Sequence, residues 1–240
     1  MPDRNSKRTR VEPVFAVLER LPDPTWVQRL IDLSAGMKAP IKNGSLLSLQ
    51  FRTERKVDPN VARLAWMLRN WPRLVPSDGS RYREYVRRMS DEDAISAALQ
   101  RLDTGDRSVP AKMILEGPSS ADCLIECESA IIWVEGKRDD WLANGTSWDV
   151  CRDQLARNVE AAWLMARDTG REYCLIIAFE DELKHHEAAL IEGYRTVNWA
   201  AGWPHLDEHQ RREFAQRIGT IRWRDIATEW PDVGQHLENF

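Results

Sequence analysis

The run at residues 173–179 (YCLIIAF) constrains this chain most. Its seven residues carry no charge and no helix or strand breaker, the pattern of a strand buried on both faces. A half-exposed strand would alternate apolar and polar positions, so this one calls for a sheet covered by helices on both sides. Upstream, residues 121–127 (ADCLIEC) and 130–137 (AIIWVEGK) are two further strand candidates, separated only by Glu128-Ser129. That spacing predicts a β-hairpin, although its turn lacks the favoured glycine. Residues 112–116 (KMILE) read as another short strand, stopped by Gly117-Pro118. Residues 146–167 read as a long helix. Its apolar face would be Cys151, Leu155, Val159, Ala162, Trp163 and Ala166, at close to a 3.6-residue period, and Gly170 would end it. Helices at 182–195 and 207–218, a strand at 220–223 and a short helix at 225–230 follow. This order predicts an α/β fold, with a mixed central sheet flanked by helices.

The first hundred residues read as mostly helical. Residues 1–13 are expected as a flexible tail, 14–80 as a helical N-terminal region and 81–240 as the α/β core. Short amphipathic helices are expected at 14–21 and 24–33, broken by Leu21-Pro22-Asp23-Pro24 and ended near Ala35-Gly36. Residues 45–52 (SLLSLQFR) partly alternate, as a strand does. A helix from Pro59 carries Val61, Leu64, Ala65 and Leu68 at helical spacing and stops at Trp71-Pro72. Helices at 79–89 and 91–102 follow, with Ser90 and Asp93 resembling a capping box in which Asp replaces Glu.

No apolar run approaches the roughly 20 residues needed to cross a bilayer, and the polar start MPDRNSKRTRVEP does not read as a secretory signal. A cytoplasmic protein with no membrane partner is expected. Cys123, Cys127, Cys151 and Cys174 are too few and scattered for a disulfide framework. On an extended strand the C-x3-C pair spans about 13 Å, too far for one tetrahedral ion, so buried reduced thiols are expected. Net charge is −4, which by itself does not suggest a nucleic-acid binder. The total hides an asymmetry, because residues 1–110 carry a net +6 and residues 111–240 a net −10. Solvated helix faces explain this, and so does a phosphate-contacting region beside a metal-binding carboxylate cluster.

The chemistry-bearing residues stand at strand ends. Glu135 and Lys137, two apart on a strand, share a face. Asp122 and Glu135 lie equally far from the Glu128-Ser129 turn, so pairing across a hairpin brings them together. Two converging carboxylates suit Mg2+, a hard cation that takes oxygen ligands. A nearby ammonium suits a water to be oriented or charge building on phosphate oxygens. The competing reading leaves Asp122, Glu135 and Lys137 as exposed polar strand ends, with a Glu–Lys pair worth little.

The stretch S-A-D-C-L-I-E-C-E-S-A-I-I-W-V-E-G-K-R resembles the PD-(D/E)XK nuclease superfamily, whose signature is an acidic residue opening one hairpin strand and E-x-K or D-x-K on the next. The resemblance covers roughly residues 90–180, and departs from the pattern at Ala121, where proline is frequent. It implies a restriction-endonuclease-like core and a metal-dependent nuclease hydrolysing DNA phosphodiester bonds. Asp122, Glu135, Lys137 and, from the following helix, Gln154 would be catalytic. Mg2+, with Mn2+ as a substitute, would be held by Asp122, Glu135 and an upstream glutamate. Glu116 is the first candidate for that glutamate, and Glu84 or Glu92 come next. Asn158 lies one turn beyond Gln154 on the same flank. Arg81, Arg83, Arg87 and Arg88 form the densest basic cluster for DNA, and a homodimer is a further expected partnership. The alternative function is a catalytically silent nuclease-fold subunit that binds nucleic acid or protein. A helical interaction protein with a purely structural α/β half is the third.

Other signals are weaker. Adjacent His185 and His186 diverge by about 100° on a helix, and His205 and His209 straddle an expected helix start. All four are expected at the surface. Arg157 is expected at the surface too. Among the 11 tryptophans, Trp163 is expected in the core. Trp141, Trp199 and Trp203 lie near expected loops, where packing competes with base stacking.

Overall fold

The hairpin organises the sheet. β4 (Cys123–Glu126) and β5 (Ala130–Gly136) pair antiparallel, Cys123 opposite Val134 and Glu126 opposite Ile131. The Cys127 amide donates to the Ala130 carbonyl at 2.8 Å, which leaves Glu128 and Ser129 as the whole turn. After β5 the chain returns through helix α5 (Gln154–Arg167), and such a crossover lets β6 (Glu172–Phe179) lie parallel to β5. β7 (Ile218–Arg222) is parallel to β6, and β1 (Gln50–Arg52) is antiparallel to β4 on the other side. The result is a five-stranded mixed sheet in the order β1-β4-β5-β6-β7. A second, two-stranded ladder joins β2 (Lys56–Val57) to β3 (Ser119–Ser120). These features come from a computed structural model, which describes residues 7–23, 25–38, 41, 50–52, 55–74, 86–87, 89–138, 142–143, 145–146, 148–180, 185–196 and 199–237.

Alternation along the strands divides the core. Cys123, Ile125, Ile132, Val134, Cys174, Ile176 and Ile221 face α1 (Glu12–Leu18), α2 (Trp26–Leu33), α9 (Trp223–Glu229) and α10 (Pro231–Leu237). Leu124, Ile131, Trp133, Leu175, Ile177 and Ile218 face α5, α6 (His185–Thr196) and α8 (Glu208–Gln216). A short helix, α7 (Trp199–Gly202), precedes α8. Helices on both faces account for the unbroken apolar run of β6. A third cluster forms where α3 (Val61–Asn70) packs on α4 (Glu92–Asp103). Among the described residues no helix is long and apolar enough to cross a membrane.

Several expectations are corrected. Residues 7–13 are not a tail: a π-helical turn at Lys7–Val11 leads into α1, and Val11 is buried in the core. Residues 112–116 are not a strand: a 3-10 turn covers Ala111–Met113, and Met113 and Leu115 enter the third cluster. The long helix starts only at Gln154, because Asp153 caps it by accepting the Ala156 amide at 2.9 Å. Thr146 and Asp149 close a turn before it, and Cys151 is exposed rather than on the apolar face. Asp91, not Ser90, caps α4. α3 and α4 share one apolar cluster. The strand expected at 45–52 is described only at Gln50–Arg52, and most of the helix expected at 79–89 lies outside the described residues.

Candidate active site

The register of the hairpin carries Asp122 to the position opposite Glu135, one pair beyond Cys123 and Val134. There Asp122 Oδ2 accepts the Gly136 amide at 2.9 Å. Glu135 and Lys137 share the sheet face covered by α5, and both are buried. Lys137 Nζ lies 3.0 Å from Glu135 Oε1. The first two turns of α5 complete the arrangement: Gln154 Nε2 donates to Glu135 Oε1 at 2.5 Å, and Asn158 Nδ2 donates to Oε2 at 2.9 Å. Gln154 is itself fixed by two bonds with Ala143, its amide donating to the carbonyl at 2.9 Å and its Oε1 accepting the Ala143 amide at 3.2 Å. The structure therefore brings Asp122, Glu135, Lys137, Gln154 and Asn158 into one cluster.

The backbone behind this cluster is tightly held. The Lys137 amide donates to the Ala178 carbonyl at 2.7 Å, and the Lys137 carbonyl accepts the Trp223 indole N–H at 3.1 Å. A Cβ at Gly136 would stand 2.2 Å from Val11 Cγ2, so the middle residue of Glu-Gly-Lys has to lack a side chain. Val11 and Trp223 are supports that sequence reasoning missed. A glycine inside a strand, a common mark of close backbone approach, was the available signal.

Burial dominates the electrostatics of Glu135. Burial first, and then the charge of Asp122, push the Glu135 carboxyl up to about 7, with Lys137 and the Asn158 amide pulling the other way. Two carboxylates against one ammonium give a net charge of −1 when all are ionised. Each carboxylate oxygen has two acceptor directions. Those of Glu135 Oε1 are taken, whereas Oε2 receives only Asn158 among the contacts above. A Mg2+ ion that keeps most of its water and takes one or two carboxylates fits this donor set.

Other expected site residues lie elsewhere. Glu116 is buried between Arg63 Nε at 3.1 Å and Arg152 Nη2 at 3.1 Å. Burial opposes its charge, yet Arg152 and Arg63 hold its carboxyl below the ordinary value. The same network includes Asp149, bonded to Arg63, and Glu160, bonded to Arg152. Glu92 is exposed on the first turn of α4, and Glu84 lies outside the described residues. Among the described residues no group of three or more His, Cys, Asp or Glu could hold a metal. Of Arg81, Arg83, Arg87 and Arg88, only Arg87 is described, and it is exposed.

His205 and Arg157, expected at the surface, are corrected, while Trp203 takes the packing role. The His205 side chain is buried, with Nε2 2.8 Å from Glu160 Oε1. Trp203 is wholly buried and donates its indole N–H to the Ala156 carbonyl at 2.9 Å, so it is no stacking platform. Arg157 is half-buried and donates to the carbonyls of Gly117 and Pro118. His209 is exposed, while Trp141 and the side chains of His185, His186 and Trp199 lie outside the described residues. Cys123, Cys127 and Cys174 are buried free thiols, as expected, and burial raises the pKa of each.

Comparison with protein-family models, with curated proteins and with solved structures finds no match to this chain.

Proposed function

We propose that this chain is a metal-dependent nuclease of the restriction-endonuclease-like, PD-(D/E)XK type, hydrolysing DNA phosphodiester bonds at Asp122, Glu135 and Lys137. The observation that carries this reading is the placing of Asp122, bonded to the Gly136 amide just beyond the Cys123–Val134 pair, beside Glu135, with the Lys137 ammonium 3.0 Å from Glu135 Oε1. Asp122 and Glu135 would hold Mg2+, or Mn2+ in its place. When bound, the ion polarises a phosphodiester oxygen and acidifies a water. Lys137 donates to the attacking water or to the phosphate oxygens on which charge builds. Gln154 and Asn158 hold the Glu135 carboxylate in one orientation, which limits reorganisation as substrate arrives. Asp122, held by the Gly136 amide, keeps its place at the strand end.

The test is incubation of the pure protein with plasmid, linear and single-stranded DNA, in Mg2+ and in EDTA. Asp122→Asn and Glu135→Gln should lose cleavage at unchanged folding. Cleavage that persists in both, or none by the wild type in Mg2+ or Mn2+, would overturn the reading. One observation favours the silent nuclease-fold alternative: amide and ammonium donors already occupy Glu135 Oε1 and one acceptor direction of Oε2. Under that alternative DNA binding is retained and Mg2+ has no effect on it.

A further inference from the structure

A cavity of about 200 Å3 opens beside β7, lined by Lys38, Arg195, Arg212, Ala215 and Gln216. It is distinct from the hairpin cluster. Glu135 lies opposite Ile177, Ile177 opposite Thr220, and Thr220 is bridged to Ala35. Those three strand spacings separate the Glu135 backbone from the Ala35 segment by about 14 Å.

The three cations come from three separate parts of the chain. Lys38 follows α2, and its amide is fixed to the Gln216 carbonyl at 3.0 Å. Arg195 stands in the last turn of α6 and Arg212 on α8. The Arg195 guanidinium lies against Gly36, where the backbone turns with φ 82°, and Nη2 donates to the Ala35 carbonyl at 3.1 Å. A Cβ at Gly36 would stand 2.1 Å from Nη2. A left-handed glycine thus makes the bed on which this guanidinium rests.

Arg195 is under-compensated there. Its Nε is buried without a hydrogen-bond partner, and burial lowers its pKa, with the nearby Glu192 carboxylate opposing the shift. Among the described residues the lining offers no carboxylate. Arg212 does pair with Glu208 at 2.8 Å, but both side chains are more than half exposed, and such pairs are worth little. A cavity lined by three cations concentrates anions. Guanidinium groups suit phosphate because their N–H donors form a planar fork. Among the described residues the lining has no aromatic ring to stack on a base.

We propose that Lys38, Arg195 and Arg212 form a phosphate-binding site, for a phosphate carried by a nucleic-acid backbone or by a small phosphorylated ligand. The site is independent of the nuclease reading. Calorimetric titration of the full chain in EDTA, where the hairpin cluster has no metal, tests it with pyrophosphate and with a short single-stranded oligonucleotide as probes. Lys38→Gln, at an exposed position that leaves folding intact, and Arg195→Gln should each weaken binding by about tenfold or more. Weakened pyrophosphate binding assigns the site to a small ligand; weakening confined to the oligonucleotide assigns it to a nucleic-acid backbone. Binding of neither probe by the wild type, or affinity unchanged in Lys38→Gln, overturns the proposal. Neither outcome depends on whether Glu135→Gln loses cleavage.

Discussion

Lys137 Nζ stands 3.0 Å from Glu135 Oε1, and this contact only partly offsets a buried carboxylate that also feels Asp122 across the hairpin. The folded chain therefore holds a proton on Glu135 more tightly than the unfolded chain does, because burial and Asp122 raise its pKa to about 7. A raised carboxyl pKa stabilises the fold below the unfolded value, and that contribution is lost as pH rises through the folded one. The metal-free protein should lose on the order of 1–3 kcal/mol between about pH 5 and pH 8. Melting curves in EDTA should show this as a fall of several degrees, and Glu135→Gln should flatten it. An equal slope in that variant would mean that another group sets the pH dependence.

Added Mg2+ should reverse that loss. An ion that binds only the folded state stabilises it by about 2.7 kcal/mol at a hundred times its dissociation constant. Wild-type melting temperature should rise with Mg2+, most of all above neutral pH, where the ion no longer competes with the Glu135 proton. Asp122→Asn and Glu135→Gln should show little rise. An equal rise in wild type and both variants would place the ion elsewhere.

The sheet was legible in the sequence because its signals are local. The two-residue turn at Glu128-Ser129 set the register that puts Asp122 opposite Glu135, and the apolar run of β6 marked a strand covered on both faces. Gln154 was what the family resemblance implied, and Asn158 followed from helical spacing one turn beyond it. What escaped was set by distant contacts. Val11 is buried only because Gly136 leaves it room, which no pattern within residues 1–13 reveals. Glu116 has the right residue type for a metal ligand, but the two arginines that claim it stand 53 and 36 positions away in sequence. His205 is buried by its contact with Glu160, 45 positions away.

Glu116→Gln separates a structural role from a metal-binding one. The change leaves two buried guanidinium groups short of a carboxylate, and breaking a buried pair from one side typically costs about 3–5 kcal/mol. Melting temperature should fall sharply, by the same amount in EDTA and in Mg2+. A fall seen only in Mg2+ would return Glu116 to the metal site.

DNA association is expected to depend on the basic first half of the chain. Replacing Arg81, Arg83, Arg87 and Arg88 with glutamine should weaken binding and flatten its salt dependence, since each lost phosphate contact removes released counterions. Affinity measured across a salt series gives both quantities. An unchanged affinity and slope would put the contact surface on another part of the protein.

Lys137→Met isolates the chemical step. Methionine keeps much of the apolar stem that lies buried beside β5, while the ammonium is removed and Asp122 and Glu135 stay in place. Metal binding should therefore persist, read as a Mg2+-dependent rise in melting temperature. Cleavage should fall by about 10²–10³-fold, the usual effect of removing one preorganised electrostatic contact, which a gel assay resolves. The substitution also deletes the cation that pulls the Glu135 pKa down, so the pH at which metal-free stability declines should move upward. A purely structural lysine would lower stability in this variant without selectively removing cleavage. Unaltered cleavage at matched folding would exclude Lys137 from the reaction, and loss of both the Mg2+ effect and cleavage would make it a support for the metal site.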